Sequence, residues 1–301
     1  MQTIKVVKIP KAKHHKHWNY CIGAGRAHEG LYANWQEQLK FIVNECGFKY
    51  IRFHGIFHDD MFVYKEINGQ GTYNWYYVDE LYDRLLEIGI RPFVELAFCP
   101  SDLASGTQTQ FWWKANVTPP KDYKKWADLV KFTVKHWIER YGIEEVRKWY
   151  FEVWNEPNLK AFWSGTKSQY FDLYRITAET IKSVDVSLKV GGPATSNFVP
   201  DDRFDGEVED ISKHKTFETD IDKHEWKGVW IKEFLSFCKN NSVPVDFIST
   251  HPYPTDFAFD EGNKELKGYT RDVNATIKDL LWLNRVLKEL DMENLEIHLT
   301  E

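Results

Sequence analysis

Apolar positions along the chain follow two patterns that alternate from one end to the other. Short apolar runs at 18–23, 50–54, 91–98, 148–153, 188–192, 245–250 and 295–299 are bounded by turn residues and read as strands. Between them lie longer stretches with helical spacing at 34–46, 78–88, 123–140, 169–184, 226–240 and 270–290. The stretch 123–140 is the clearest. Its Tyr123, Trp126, Ala127, Val130, Val134, Trp137 and Ile138 recur at steps of three and four and so share one helix face.

Strands each followed by a helix predict a parallel sheet covered by helices, either a closed barrel or an open doubly wound sheet. The barrel is preferred. A nucleotide-binding open sheet usually carries a Gly-x-Gly-x-x-Gly turn after its first strand, whereas Gly23-Ala24-Gly25 is followed by Arg26, Ala27 and His28. The expected fold is therefore an α/β protein with a (β/α)8 TIM barrel. The run ends at Glu301 after the seventh strand, so residues 1–301 are expected to be one catalytic barrel with its eighth βα unit missing. Two stretches interrupt the repeat. Residues 62–75, with Asn68-Gly69-Gln70-Gly71 at their centre, predict a β-hairpin, and the polar, acidic residues 197–225 predict a loop insertion.

Charge narrows the range of partners. The formal net charge is −6, and residues 201–225 account for it with ten acidic against four basic side chains, leaving 35 of each sign elsewhere. No basic field is available for a nucleic-acid backbone, and no apolar run approaches the roughly 20 residues of a membrane span. The first residues, 1–16, are basic but have no apolar signal-peptide core, and Cys21, Cys46, Cys99 and Cys238 are too widely spaced for a zinc knuckle or a disulfide framework. A reducing cytoplasm suits them, and a homo-oligomer is compatible with the sequence. His14-His15-Lys16-His17 sits in a basic stretch without a coordination geometry, so neither a metal nor another cofactor is expected.

The strongest chemical signal is Trp154-Asn155-Glu156-Pro157 at the end of the fourth strand, since side chains at the carboxyl ends of barrel strands face a common cleft. Breaking a glycosidic bond requires a carboxylic acid to protonate the leaving oxygen and a carboxylate to meet the anomeric carbon. Glu156 can be the first, and Glu301, closing the seventh strand, the second. A separation of about 5 to 5.5 Å would make the reaction retaining.

These residues resemble glycoside hydrolase clan A, whose barrels carry the acid/base after an asparagine on the fourth strand and the nucleophile on the seventh. Further runs, Tyr50-Ile51-Arg52-Phe53-His54-Gly55, Leu103-Ala104-Ser105-Gly106, Asn116-Val117-Thr118-Pro119-Pro120, the segment 137–147 and Val190-Gly191-Gly192-Pro193-Ala194, resemble the β-xylosidases of glycoside hydrolase family 39. The resemblance implies that Glu156 is the acid/base, Glu301 the nucleophile, and Asn155 a partner of the sugar 2-hydroxyl. It also implies that His54, His251 and Tyr253 line the sugar subsite, with Pro252 standing where the family has a small residue. The acidic insertion is longer than the family pattern.

The function implied is that of a retaining exo-β-D-xylosidase, a xylan 1,4-β-xylosidase acting on xylo-oligosaccharides by double displacement. Two alternatives stay open. The same barrel and mechanism could serve an α-L-arabinosyl, β-glucosyl or uronic acid unit, and a non-catalytic barrel could bind carbohydrate without cleaving it.

Overall fold

The computed structural model describes residues 17–196, 230–253, 255–259, 266–270 and 273–301. Seven strands form one parallel sheet: β1 (Cys21–Arg26), β2 (Tyr50–His54), β3 (Arg91–Leu96), β4 (Tyr150–Val153), β5 (Lys189–Ser196), β6 (Phe247–His251) and β7 (Glu296–Leu299). Neighbours in the sheet are neighbours in the chain, and every ladder pair among them is parallel. Helices α1 (Ala33–Cys46), α2 (Tyr76–Ile88), α3 (Tyr123–Tyr141), α4 (Lys167–Val184), α5 (Trp230–Asn241) and α6 (Ala275–Glu289) connect the strands. No helix among the described residues is long and apolar enough to cross a membrane.

The helices begin and end where their flanking residues dictate. Asp122 caps α3, its carboxylate accepting from the amides of Lys124 and Lys125, and buries Trp126, Leu129, Val130, Val134 and Trp137 along one face. Thr166 and Gln169 form a reciprocal capping box at the start of α4. In β5, Gly191 lies so close to the Phe247 carbonyl of β6 that a side chain there would collide with backbone.

The sheet is curled. Strands β2 and β7 stand five spacings apart in the order, which on a flat sheet is roughly 24 Å. Yet Arg52 of β2 reaches Glu301, just past β7, at 2.8 Å. Alternate residues point into the curl and stack in layers. The lowest layer is aromatic: Tyr50, Phe93, Tyr150 and Phe247 from β2, β3, β4 and β6 pack with His298 of β7 at ring separations of 4.8 to 5.5 Å. Two residues further along, the next layer turns polar, with Arg52, Glu95, Glu152, Ser249 and Thr300, all buried. That change of chemistry sets the floor of the site.

Several boundaries differ from those the sequence predicts. Trp18 lies in a single 3-10 turn, His17–Asn19, ahead of β1. Strand β5 runs on to Ser196 because the loop after β4 latches it, through Glu156 N–H to the Ala194 carbonyl and a two-way bond between Asn158 and Ser196. Thr270 belongs to a hairpin, Thr255–Phe259 with Leu266–Thr270, so α6 starts only at Ala275. The predicted hairpin after β2 forms between Tyr64–Ile67 and Gln70–Tyr73, turning on Asn68 and Gly69, both at positive φ. The acidic stretch 197–225 and the start of the predicted helix 226–240 lie outside the described residues.

Candidate active site

The loop after β4 is held in an uncommon shape. Trp154 and Glu156 both have positive φ, at 73° and 44°, a region that costs a non-glycine residue roughly 1 to 3 kcal/mol. Burial and hydrogen bonds hold it there. The Trp154 ring is fully buried against Trp163 and donates from Nε1 to the Phe162 carbonyl at 2.7 Å, while Glu156 N–H is tied to β5 at 2.9 Å. The shape turns the Glu156 side chain towards the mouth of the curl, almost fully buried.

Six residues expected from sequence meet at this mouth. Glu156 Oε1 lies 2.9 Å from His251 Nδ1, and Glu301 Oε2 lies 3.6 Å from the same nitrogen. One oxygen of Glu156, one of Glu301 and a ring nitrogen of His251 all fall within 4.8 Å of one another. Tyr253 donates its hydroxyl to Glu301 Oε2 at 2.5 Å. His54 Nε2 approaches Glu301 Oε1 at 3.8 Å, while its Nδ1 is bonded to Glu95 at 2.7 Å. Asn155 accepts from Arg52 through Oδ1 at 2.8 Å, and its buried Nδ2 has no partner among the described residues. Beside Glu301 a cavity of about 490 Å³ opens between β1 and the end of β7, lined by Gly23, Ala24, Gly25, Arg52, His54, Tyr253 and Glu301.

The organiser of the site is a residue to which the sequence reading gives no role. Arg52 is buried and donates to three acceptors, Glu152 at 2.6 Å, Glu301 at 2.8 Å and Asn155 at 2.8 Å, and is ion-paired with Glu95 at 2.9 Å. A planar guanidinium holds five N–H donors in a rigid fork, a geometry that a lysine ammonium cannot reproduce. The signal was present in the two-residue alternation of Tyr50, Arg52 and His54, which puts all three on the inner face of β2. Glu95 and Glu152 follow from the same alternation on β3 and β4, where they sit in register opposite each other.

Electrostatics prepares Glu301 as a carboxylate. Burial pushes the Glu301 carboxyl up, but the neighbouring His251 ring, the Arg52 guanidinium and the Tyr253 hydroxyl outweigh it and bring it down to about 2. Burial would push the His54 imidazole down, and the adjacent Glu95 carboxylate more than reverses this, leaving it raised. Burial and the neighbouring Glu301 charge hold the Tyr253 hydroxyl well above its ordinary range, so it stays a donor.

A model of the glycosyl hydrolases family 39 matches residues 3–301 of the chain. A β-xylosidase of Geobacillus stearothermophilus is 40% identical over 310 residues, covering 99% of this chain and 56% of that protein. Another, of Caldicellulosiruptor saccharolyticus, is 45% identical over 267 residues, covering 86% of this chain and 49% of its own. The crystal structure of a monomeric β-xylosidase from Caulobacter crescentus superposes with a TM-score of 0.78 at 37% identity, over 94% of this chain and 51% of that one. The chain thus spans about half the length of the relatives it matches. The chain belongs to glycosyl hydrolases family 39.

Proposed function

We propose that the chain carries the active site of a retaining exo-β-D-xylosidase, with Glu301 as nucleophile and Glu156 as acid/base. The observation that carries this is that one oxygen of each carboxylate lies within 4.8 Å of the other around His251, the close approach that a retaining mechanism requires. Glu301, ionised through the acid range, attacks the anomeric carbon while Glu156 protonates the departing oxygen. Glu156 then takes a proton from water as the water oxygen bonds to the anomeric carbon and the bond from that carbon to Glu301 breaks. Arg52 and Tyr253 hold the Glu301 oxygens, and Asn155 Nδ2, a buried donor left open, meets the sugar 2-hydroxyl. His54 and His251 flank the same ring.

The curled sheet is, in this proposal, that of a (β/α)8 barrel, whose closure calls for one further strand between β1 and β7. Residues 1–301 are then a single catalytic unit, with 197–225 as an acidic loop on it. The free cysteines Cys21, Cys46, Cys99 and Cys238 support a cytoplasmic setting. The β-xylosidase activity of the relatives supports xylose as the sugar removed.

The test is Glu156→Ala. Hydrolysis of poorly activated xylosides should nearly vanish, while azide should restore turnover of activated aryl xylosides by intercepting the glycosyl-enzyme. Full activity in that variant would refute the assignment.

A further inference from the structure

The hydrogen bonds behind His251 form a directed chain that the chemistry above does not use. Glu152, on β4, is fully buried, and its Oε2 accepts from Arg52 Nε at 2.6 Å. Its other oxygen accepts from the Thr300 hydroxyl at 2.9 Å. A hydroxyl has one proton, so Thr300 Oγ1 can only accept from His251 Nε2, which lies 2.9 Å away. Nε2 therefore carries a proton, and Nδ1 is left facing Glu156 Oε1 at 2.9 Å.

We infer that Thr300 and Glu152 are positioning residues which fix His251 as its Nε2–H tautomer and so keep a proton on the Glu156–His251 pair until the leaving group takes it. The inference rests on Glu156 being the acid. When the pair holds its second proton, that proton bridges Nδ1 and Oε1 and both atoms are satisfied. When the pair has lost it, a ring lone pair and a carboxylate oxygen oppose each other in a buried site, which is unfavourable. Loss is thereby resisted.

Removing the Thr300 acceptor frees the ring to carry its remaining proton on Nδ1, where it would stabilise ionised Glu156. The other groups facing this pair stay in place. Glu301, 3.6 Å from Nδ1, also favours the proton, the Tyr253 hydroxyl is engaged by Glu301, and Arg52 balances the charge of Glu152. The ring nitrogen thus takes its direction from a residue next to the nucleophile.

The test is 15N NMR of histidine rings in the full-length protein, with the His251 signals assigned by their loss in His251→Asn. The unsubstituted protein should show His251 with a slowly exchanging Nε2–H; Thr300→Val should lose it and Thr300→Ser keep it. In parallel, the alkaline limb of kcat/KM on an aryl xyloside should move to lower pH by about one unit in Thr300→Val, the equivalent of one net hydrogen bond. Thr300→Ser should leave that limb in place. An Nδ1–H tautomer in the unsubstituted protein would overturn the inference, and so would a Thr300→Val variant with signal and limb both unmoved. If Thr300→Val does not fold, the tautomer of the unsubstituted protein decides. The NMR result does not depend on turnover, so a failure of Glu156 as the acid would show in Glu156→Ala kinetics and leave the tautomer standing.

Discussion

Replacing Arg52 with alanine is the perturbation whose consequences the structure specifies most fully. The guanidinium is 3% exposed and binds Glu152 and Glu95, whose side chains are both fully buried, as well as Glu301 and Asn155. Taking away one member of a buried ionic cluster leaves its partners as uncompensated charges, at a cost of about 3 to 5 kcal/mol. At roughly 2 to 4 °C per kcal/mol for a large domain, the melting temperature should fall by about 6 to 20 °C. Activity should change as well as stability. The Arg52 charge is one of the influences that bring the Glu301 carboxyl down to about 2. Without it the carboxyl rises towards the ordinary glutamate value of about 4.3, and the acid limb of kcat/KM moves to higher pH. Thermal melts followed by circular dichroism, with pH profiles of kcat/KM on an aryl xyloside, measure both effects. Arg52→Lys keeps the charge and loses the fork, and should recover part of the melting temperature but not the full rate. A melting temperature within a degree or two of the unsubstituted protein, with an unmoved acid limb, would refute the reasoning.

Other outcomes follow from single features. Glu301 has a depressed folded value, so its contribution to stability is complete above its unfolded value of about 4.3 and is lost as the pH falls towards 2; Glu301→Gln should melt with less dependence on pH across that window. Gly191→Ala forces a methyl group into the Phe247 carbonyl and should abolish soluble expression or cut the melting temperature sharply, whereas Gly89→Ala, where space is open, should show only the strain of its positive φ. Asp122→Ala removes the cap of α3 and should cost about 0.5 to 2 kcal/mol in denaturant titration, with Asp122→Ser recovering most of it.

What the sequence disclosed depended on whether the determining interactions were local. Helix α3 was legible because its stripe of Trp126, Val130, Val134 and Trp137 is set by the helical repeat alone. The hairpin turning on Asn68 and Gly69 was legible because both residues tolerate positive φ. The two glutamates stood out because motif and strand end coincide, and the fold brings both to His251. The length of β5 was not legible, since it depends on a latch from Asn158 across 38 positions. Arg52 was missed for a similar reason. A lone arginine in an apolar run reads as a strand residue until its partners, 43 to 249 positions away in sequence by the numbering of Glu95 and Glu301, are brought beside it.

In the proposed mechanism Glu301 bonds to the sugar while Glu156 manages the proton. Incubation with an activated 2-deoxy-2-fluoro-xyloside, followed by peptide mass spectrometry, tests it most directly, since the fluorine slows release of the intermediate. A single glycosylated residue, Glu301, is expected, with no labelling of Glu301→Ala. A label on any other side chain, or steady hydrolysis with inversion and no label at all, would contradict it.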